Sequence, residues 1–386
     1  MARTRFAPAE RGLIATAAAI VFTRVFAFSL TTLGFTEFAR ALVPAGTSAA
    51  TADLLAGVAL GAYGITMALA QLGTGILSDR IGRRPVLLLG TGVFVVGAVA
   101  CAFATDVRVL VAARLLQGLG GVSSAALAAV GETVPEERRT VAMALVGIPA
   151  GVGVFLGFIV GPPLAGLLGF RSLFWATAAL GLLAGVALAR PLPKPLPGLA
   201  NPRRSLGVPV LALAAAGFTI NFAMNAVMYD FQSGVLPRLG NAALAGCLLL
   251  AFAVMGAASR RVDRSRATWL PIVAALGVLA VAAPLFRLAP AWGTVFAAGT
   301  AFFAAHATLS AVLPSQVSRL AGRSGGLGHG IQLVVAYLGS AAGAVVAGAF
   351  AHRLWEAFAV LGAVAFCAVL LTLVGLRAAR PAPAVA

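Results

Sequence analysis

Charge is what this 386-residue chain has least of: Asp, Glu, Lys and Arg make up 10% of it, against about 25% in an ordinary soluble domain. With 61% hydrophobic residues and a mean hydropathy of +1.00, that scarcity excludes a soluble enzyme built around one core. Acids are scarcer still, 11 against 28 basic residues, for a net charge of +17. On a water-soluble protein such an excess points to nucleic acid. In a chain this apolar it reads as basic residues gathered in loops on one side of a membrane, and no nucleic-acid partner is expected. Cysteine is nearly absent. Cys101, Cys247 and Cys367 each lie inside an apolar run, so they form neither a disulfide framework nor a metal site. No HExxH, CxxC, P-loop or GxSxG pattern occurs, so metal, nucleotide and nucleophilic catalysis find no residues here. The chain is not read as an enzyme, and no metal or cofactor is expected.

Long apolar runs are what it does have. A spanning helix needs about 20 apolar residues. Segments 54–78, 85–105, 140–170, 172–189, 205–229, 239–259, 267–286, 288–318, 324–352 and 357–376 contain no charge. The run 12–36, interrupted by Arg24, and the run 107–131, interrupted by Arg108 and Arg114, raise the count to twelve. The first is too long for the core of a signal peptide and carries an arginine in its middle, so it is expected to remain as an uncleaved span. Trp175, Trp269, Trp292 and Trp355 each fall near the start of a span, at the water–lipid boundary.

Threaded from a cytoplasmic start, the chain puts 20 of its 28 basic residues in loops on the starting side and six on the other. The remaining two, Arg24 and Arg114, lie within spans. That bias predicts a multi-pass protein of a bacterial inner membrane with both termini cytoplasmic. The segment Arg190 to Ser205, rich in proline and basic residues, falls at the midpoint. The expected architecture is therefore all-α: a six-helix bundle over 1–190, a cytoplasmic linker over 191–206 and a second six-helix bundle over 207–386. Two such bundles with a cavity between them are transporter architecture.

Gly75-Ile-Leu-Ser-Asp79-Arg80-Ile-Gly82-Arg83-Arg84 sits between spans 2 and 3. Physically it is a tight turn with charges of both signs: Gly75 permits close helix approach, Gly82 permits the turn, and Arg83 and Arg84 face the cytoplasm. This decapeptide resembles motif A of the major facilitator superfamily. Arg114-Leu-Leu-Gln-Gly-Leu-Gly-Gly in span 4 is similar to motif B. Gly157-Phe-Ile-Val-Gly161-Pro162-Pro-Leu-Ala-Gly166 in span 5 is similar to motif C, the pattern associated with antiporters. The first half, about 20 to 190, resembles the YajR-type drug–proton antiporters. The second half matches less well. The loop from Ser259 to Arg266 lacks the motif A pattern, and Ser310 stands where such proteins often carry an acid before the Leu-Pro-Ser stretch.

Candidate working residues are those whose burial in lipid would be costly. Arg24 lies near the bilayer centre, where a charge usually faces a cavity or a partner. It is expected to line the cavity, binding an anionic group or tuning a carboxylate. The resemblance gives Arg114 a part in proton coupling. Glu37 and Asp230, at the outer ends of spans 1 and 7, are candidate proton carriers, since an acid in an apolar cavity titrates nearer neutrality. His306 in span 10 is a further titratable candidate. Asn221, Asn225, Tyr229 and Gln232 recur at helical spacing and form one polar stripe on span 7, expected to face the cavity. Tyr63, Gln71, Gln332 and Tyr337 add to it. Asp79, Arg83 and Glu132 form a cytoplasmic charge cluster that the resemblance reads as a gate. Gly157, Gly161, Pro162 and Gly166 make span 5 close-packed and bendable.

The function expected is secondary transport in the form of proton-coupled efflux of a small molecule or drug by alternating access. The driving force is the proton gradient and no cofactor takes part. The partners are a small-molecule substrate, protons and lipid, and the unit is a monomer. The rivals are a symporter or uniporter for a nutrient in the same fold, and a non-transporting membrane sensor or assembly factor.

Overall fold

The computed structural model describes residues 6–188, 208–230, 240–264, 270–288, 291–321 and 325–351, with 353 and 364 besides. All regular structure among them is helical. In the first half these are α1 (Pro8–Thr32), α2 (Phe35–Ala41), α3 (Ala49–Ile81), α4 (Arg83–Phe103), α5 (Val107–Leu119), α6 (Ser123–Thr133), α7 (Glu136–Leu168) and α8 (Arg171–Ala187). In the second they are α9 (Val208–Asp230), α10 (Asn241–Arg264), α11 (Leu270–Leu288), α12 (Trp292–Ala321) and α13 (Gly325–Ala349). The predicted linker 191–206, and the twelfth span apart from residue 364, lie outside the described residues.

Local chemistry explains where these helices start and stop. Pro8 opens α1, where a missing N–H costs nothing, and the Glu10 carboxylate accepts from the Ala7 N–H at 2.7 Å. Ser48 caps α3 through the Thr51 N–H, and Asp106 caps α5 through the Arg108 N–H at 2.7 Å. The turn between α3 and α4 is a single residue, Gly82, at φ +91°, a conformation costly for any side chain with a Cβ.

Among the described residues, seven spans pass as long and apolar enough to cross a membrane, with α5 and α6 counted together as one. Arg171–Ala187, Ala242–Met255 and Ile272–Leu285 are shorter apolar helices. At about 1.5 Å per residue, the 33 residues of α3 reach well beyond a hydrocarbon core of about 30 Å.

Two sequence expectations change in detail. The run 12–36 is not one helix: Gly34, at φ +94°, separates α1 from the short α2. The run 107–131 is likewise broken, between α5 and α6, at Gly120–Val122. A Cβ on Gly120 would lie 2.6 Å from both the Gly90 carbonyl and the Phe94 Cβ. The chain there is pressed against α4 and carries no side chain to hold it off.

The dominant packings are α1 along α7, α9 along α13, and α3 along α13. The last joins the two halves. One apolar core fills the second half, around Phe302, Phe303, Leu276 and Leu248. A second lies between the basic ends of α1, α6 and α7. A third lies at the opposite end, around Phe35, Phe174 and Tyr229.

Candidate functional site

Two fully buried arginines lie inside the first half. Arg24 on α1 is 2% exposed and Arg114 on α5 is 1% exposed. Arg24 donates to the Thr91 hydroxyl at 3.3 Å and lies 3.8 Å over the Phe94 ring. Arg114 donates to Gln117 Oε1 at 2.9 Å and faces the rings of Phe35 at 4.9 Å and Tyr63 at 4.7 Å. The Tyr63 hydroxyl interacts electrostatically with both guanidiniums. Tyr337, reaching in from α13 of the second half, interacts electrostatically with Tyr63 and Arg24. Phe28 stacks on Tyr63 at 5.5 Å.

The magnitudes leave this cluster incomplete. A mid-membrane arginine costs about 2.5–3.5 kcal/mol on insertion scales. A cation–π contact returns about 0.5–2 kcal/mol. Three ring contacts and two hydrogen bonds to neutral acceptors lower the cost but do not neutralise two charges. Among the described residues, neither guanidinium forms an ion pair. Arg24 Nε, Arg114 Nε, Arg114 Nη2 and the Tyr63 hydroxyl have no hydrogen-bond partner there.

A second constellation joins the halves at one end of the molecule. Asp53, in the first turns of α3, is 5% exposed and pairs with Arg40 on α2 through both Nε and Nη2. The Tyr229 hydroxyl on α9 donates to the Asp53 carbonyl at 2.6 Å and lies 3.3 Å from its carboxylate. The Arg40 guanidinium also faces the Tyr229 ring at 5.5 Å. Burial alone would lower the Arg40 pKa. Tyr229 and Asp53 more than offset this and raise it above the usual arginine value, so Arg40 is cationic at every physiological pH.

Glycine brings α3 and α13 into backbone contact at the same end. A Cβ on Gly57 would lie 2.6 Å from the Ala344 carbonyl, on Gly61 2.9 Å from that of Ala341, and on Gly64 2.9 Å from that of Tyr337. Gly73, two and a half turns further along α3, and Gly330 on α13 would meet nothing within 4 Å among the described residues.

The basic end holds a third set, whose described contacts lie within the first half. Arg83 pairs with Glu132 through Nη2, and through Nε at 3.2 Å, and also reaches Ser78. Arg84 donates to the Leu188 carbonyl at 3.1 Å. Arg138 at the start of α7 grips Glu10 of α1 through two bonds of 3.0 Å. Arg80 is exposed, and Gly75 falls in α3 ahead of it. The side chain of Asp79 lies outside the described set.

The remaining sequence candidates are scattered. Asn221 and Asn225 donate to backbone carbonyls of their own helix, Gly217 at 2.9 Å and Asn221 at 3.1 Å. Of the described members of that stripe, Tyr229 reaches across to the first half. Gln232 and the Asp230 side chain lie outside the described residues. Glu37 is exposed on α2. His306 is buried on α12, hydrogen-bonded to the Ile220 backbone, with Nδ1 unpartnered. Gly157 and Gly161 press α7 onto α1 at Ser29 and Leu30, Pro162 lies inside α7, and Gly166 has open space. Sequence reasoning passed over Asp53, Arg40, Thr91 and Phe94. The one available signal was an Asp and an Arg bracketing the short connection between the first two spans.

Paired helical bundles with buried charge between them define a multi-pass membrane protein of the secondary-transporter class. The sequence model of the Major Facilitator Superfamily matches residues 12–332, and the chain belongs to that family. It is similar to the inner membrane transport protein YajR of Escherichia coli, 38% identical over 136 residues, which is 35% of this chain and 30% of that protein. It is also similar to the multidrug resistance protein Stp of Mycobacterium tuberculosis, 35% identical over 127 residues, 31% of this chain and 23% of Stp. The aligned region thus spans a third or less of either relative's length. A crystal structure of a D-xylose-proton symporter superposes with a TM-score of 0.76 at 17% identity, over 94% of this chain and 96% of that one, and shares the fold.

Proposed function

We propose that this transporter exports a small molecule in exchange for protons by alternating access, with its basic end in the cytoplasm. The carrying observation is the asymmetry of the α3–α13 contact. The helices touch backbone to backbone from Gly57 to Gly64, whereas Gly330, seven residues before Tyr337 and on the same face of α13, would meet nothing within 4 Å among the described residues. With the basic end inside, this is a state closed to the outside, in which an exporter takes up cargo from the cytoplasm. The positive-inside distribution of arginine supports that orientation. The name of one relative, a multidrug resistance protein, agrees with export.

Asp53 is the carboxylate we assign to proton coupling. It is buried, and it touches both halves through Arg40 and Tyr229. Protonation removes the charge that holds Arg40 and so loosens the outer contact. Antiport therefore needs no acid at the position of Ser310. A second reading, proton-coupled symport, draws on that same missing acid and on the fold shared with a symporter. Proteoliposomes holding a pH-sensitive dye separate the two. Outward cargo movement against inward protons, lost in Asp53→Asn, is the expected result. Cargo and protons moving together would favour symport.

A further inference from the structure

Two permanent cations with no anion between them require an explanation. Every Asp and Glu in the chain falls near the end of a span, and none falls at the depth of Arg24 or Arg114. Arginine does not shed its proton in such a place. The charge must be balanced from elsewhere, and a transporter's cargo is an available source.

We propose that the cargo is an organic anion, a carboxylate on an apolar or aromatic body, and that Arg24, Arg114 and the Tyr63 hydroxyl together bind its carboxylate. This deepens the proposed function and rests on its identification of a transport site. The unpartnered donors are of the right kind: guanidinium N–H groups from two helices and a phenol that interacts with both. Guanidinium groups match carboxylates in geometry as well as charge. The aromatic faces that now cover the two arginines, Phe94, Phe35 and Tyr63, would become the wall for the body of the cargo. Tyr337 adds a contact from the second half, so the bound anion would touch both bundles. The broken span between α5 and α6 lies beside Phe94, consistent with irregular backbone being tolerated where it lines a site.

Binding to the purified full-length protein tests this without any assumption about transport direction. Benzoate, benzamide and benzylammonium share a body and differ in charge. Each is titrated in a gluconate buffer, with thermal stabilisation as readout and chloride as a separate arm. The expected result is saturable stabilisation by benzoate at least about tenfold tighter than by the other two, and none by chloride. Arg24→Gln and Arg114→Gln each weaken benzoate about tenfold or more, Tyr63→Phe weakens it less, and Arg24→Lys retains part of it. Equal or tighter binding of benzylammonium or benzamide, or stabilisation by chloride alone, overturns the proposal. So does undiminished benzoate binding in both glutamine variants. The wild-type panel decides even if a variant fails to fold. Benzoate binding without cargo-dependent proton flux would sink the antiport reading and leave the anion site standing; proton-coupled flux of a cation with no benzoate binding would do the reverse.

Discussion

The two ends of the molecule hold themselves together in opposite ways. At the Asp53 end, contacts cross from one half to the other: Tyr229 reaches Asp53, and Gly57, Gly61 and Gly64 seat α3 on the backbone of α13. At the basic end, the ion pairs described stay inside the first half, joining Glu10 to Arg138 and Arg83 to Glu132. In the proposed alternating access, the first kind of contact breaks as the halves rock. The described pairs of the second kind lie within one half and are left intact by that motion. Charge near a membrane surface therefore does two jobs here, and which job depends on whether the partner lies in the same bundle.

Substitutions that strike only one end test this division. The largest effect is expected from Gly57→Leu. Its side chain meets the Ala344 carbonyl and the Gly348 backbone, neither of which can yield as a flexible side chain does. Overpacking of this kind costs about 1–3 kcal/mol, enough to shift the balance of states about tenfold or more toward an open Asp53 end. Accessibility of an introduced cysteine at Ala56 to a membrane-impermeant thiol reagent would rise accordingly in a background lacking the native cysteines. Unchanged labelling would show that the glycine contact does not set the state.

Next in size is Arg83→Ala. It strands Glu132 and loses a partly buried charged pair, about 1–2 kcal/mol. The melting temperature of the purified protein falls by a few degrees, while Ala56 labelling stays as in the parent. A large rise in labelling would mean that the basic end also governs the state.

Asp53→Asn is expected to cost less in stability, about 1 kcal/mol, because the Tyr229 hydroxyl still donates to the backbone carbonyl at residue 53. Its effect lies in coupling, with proton-dependent flux lost and binding of cargo retained. The sign for Arg40 is the reverse of a carboxylate's. Its pKa is raised, so its contribution is complete below the ordinary arginine value and is lost only as pH rises through the raised one. Between about pH 5 and 9 Arg40 stays charged, and any pH dependence of the latch in that window comes from another group. The smallest effect is expected from Gly73→Ala. A Cβ there meets nothing within 4 Å, so stability and labelling both stay within error of the parent; a substantial loss would show that the inner stretch of α3 is packed in a populated state.

The fold was legible because membrane burial writes itself into composition. Charge-free runs located the spans, and the decapeptide ending at Arg84 located the family. The breaks at Gly34 and Gly120 were not legible, since glycine in an apolar run reads equally as close packing and as interruption. Arg24 and Arg114 stood out because a charge in a span has to be explained. Asp53 did not, because an acid at the start of a span looks like an ordinary boundary until tertiary packing covers it with Arg40 and Tyr229. Periodicity put Asn221, Asn225 and Tyr229 on one face of α9, but it could not foresee that the two asparagines would spend their amides on their own helix.

The most direct measurement uses two spin-label pairs in the same reconstituted protein. One pair, at the exposed positions Thr51 and Ala349, spans the halves at the Asp53 end. The other, at the exposed positions Arg11 and Arg80, lies within the first half at the basic end. On introducing Gly57→Leu, the Thr51–Ala349 distance lengthens and the Arg11–Arg80 distance holds. Movement of the second pair with the first, or a first pair that does not move, would contradict an account in which one end is a latch between bundles and the other a staple within one.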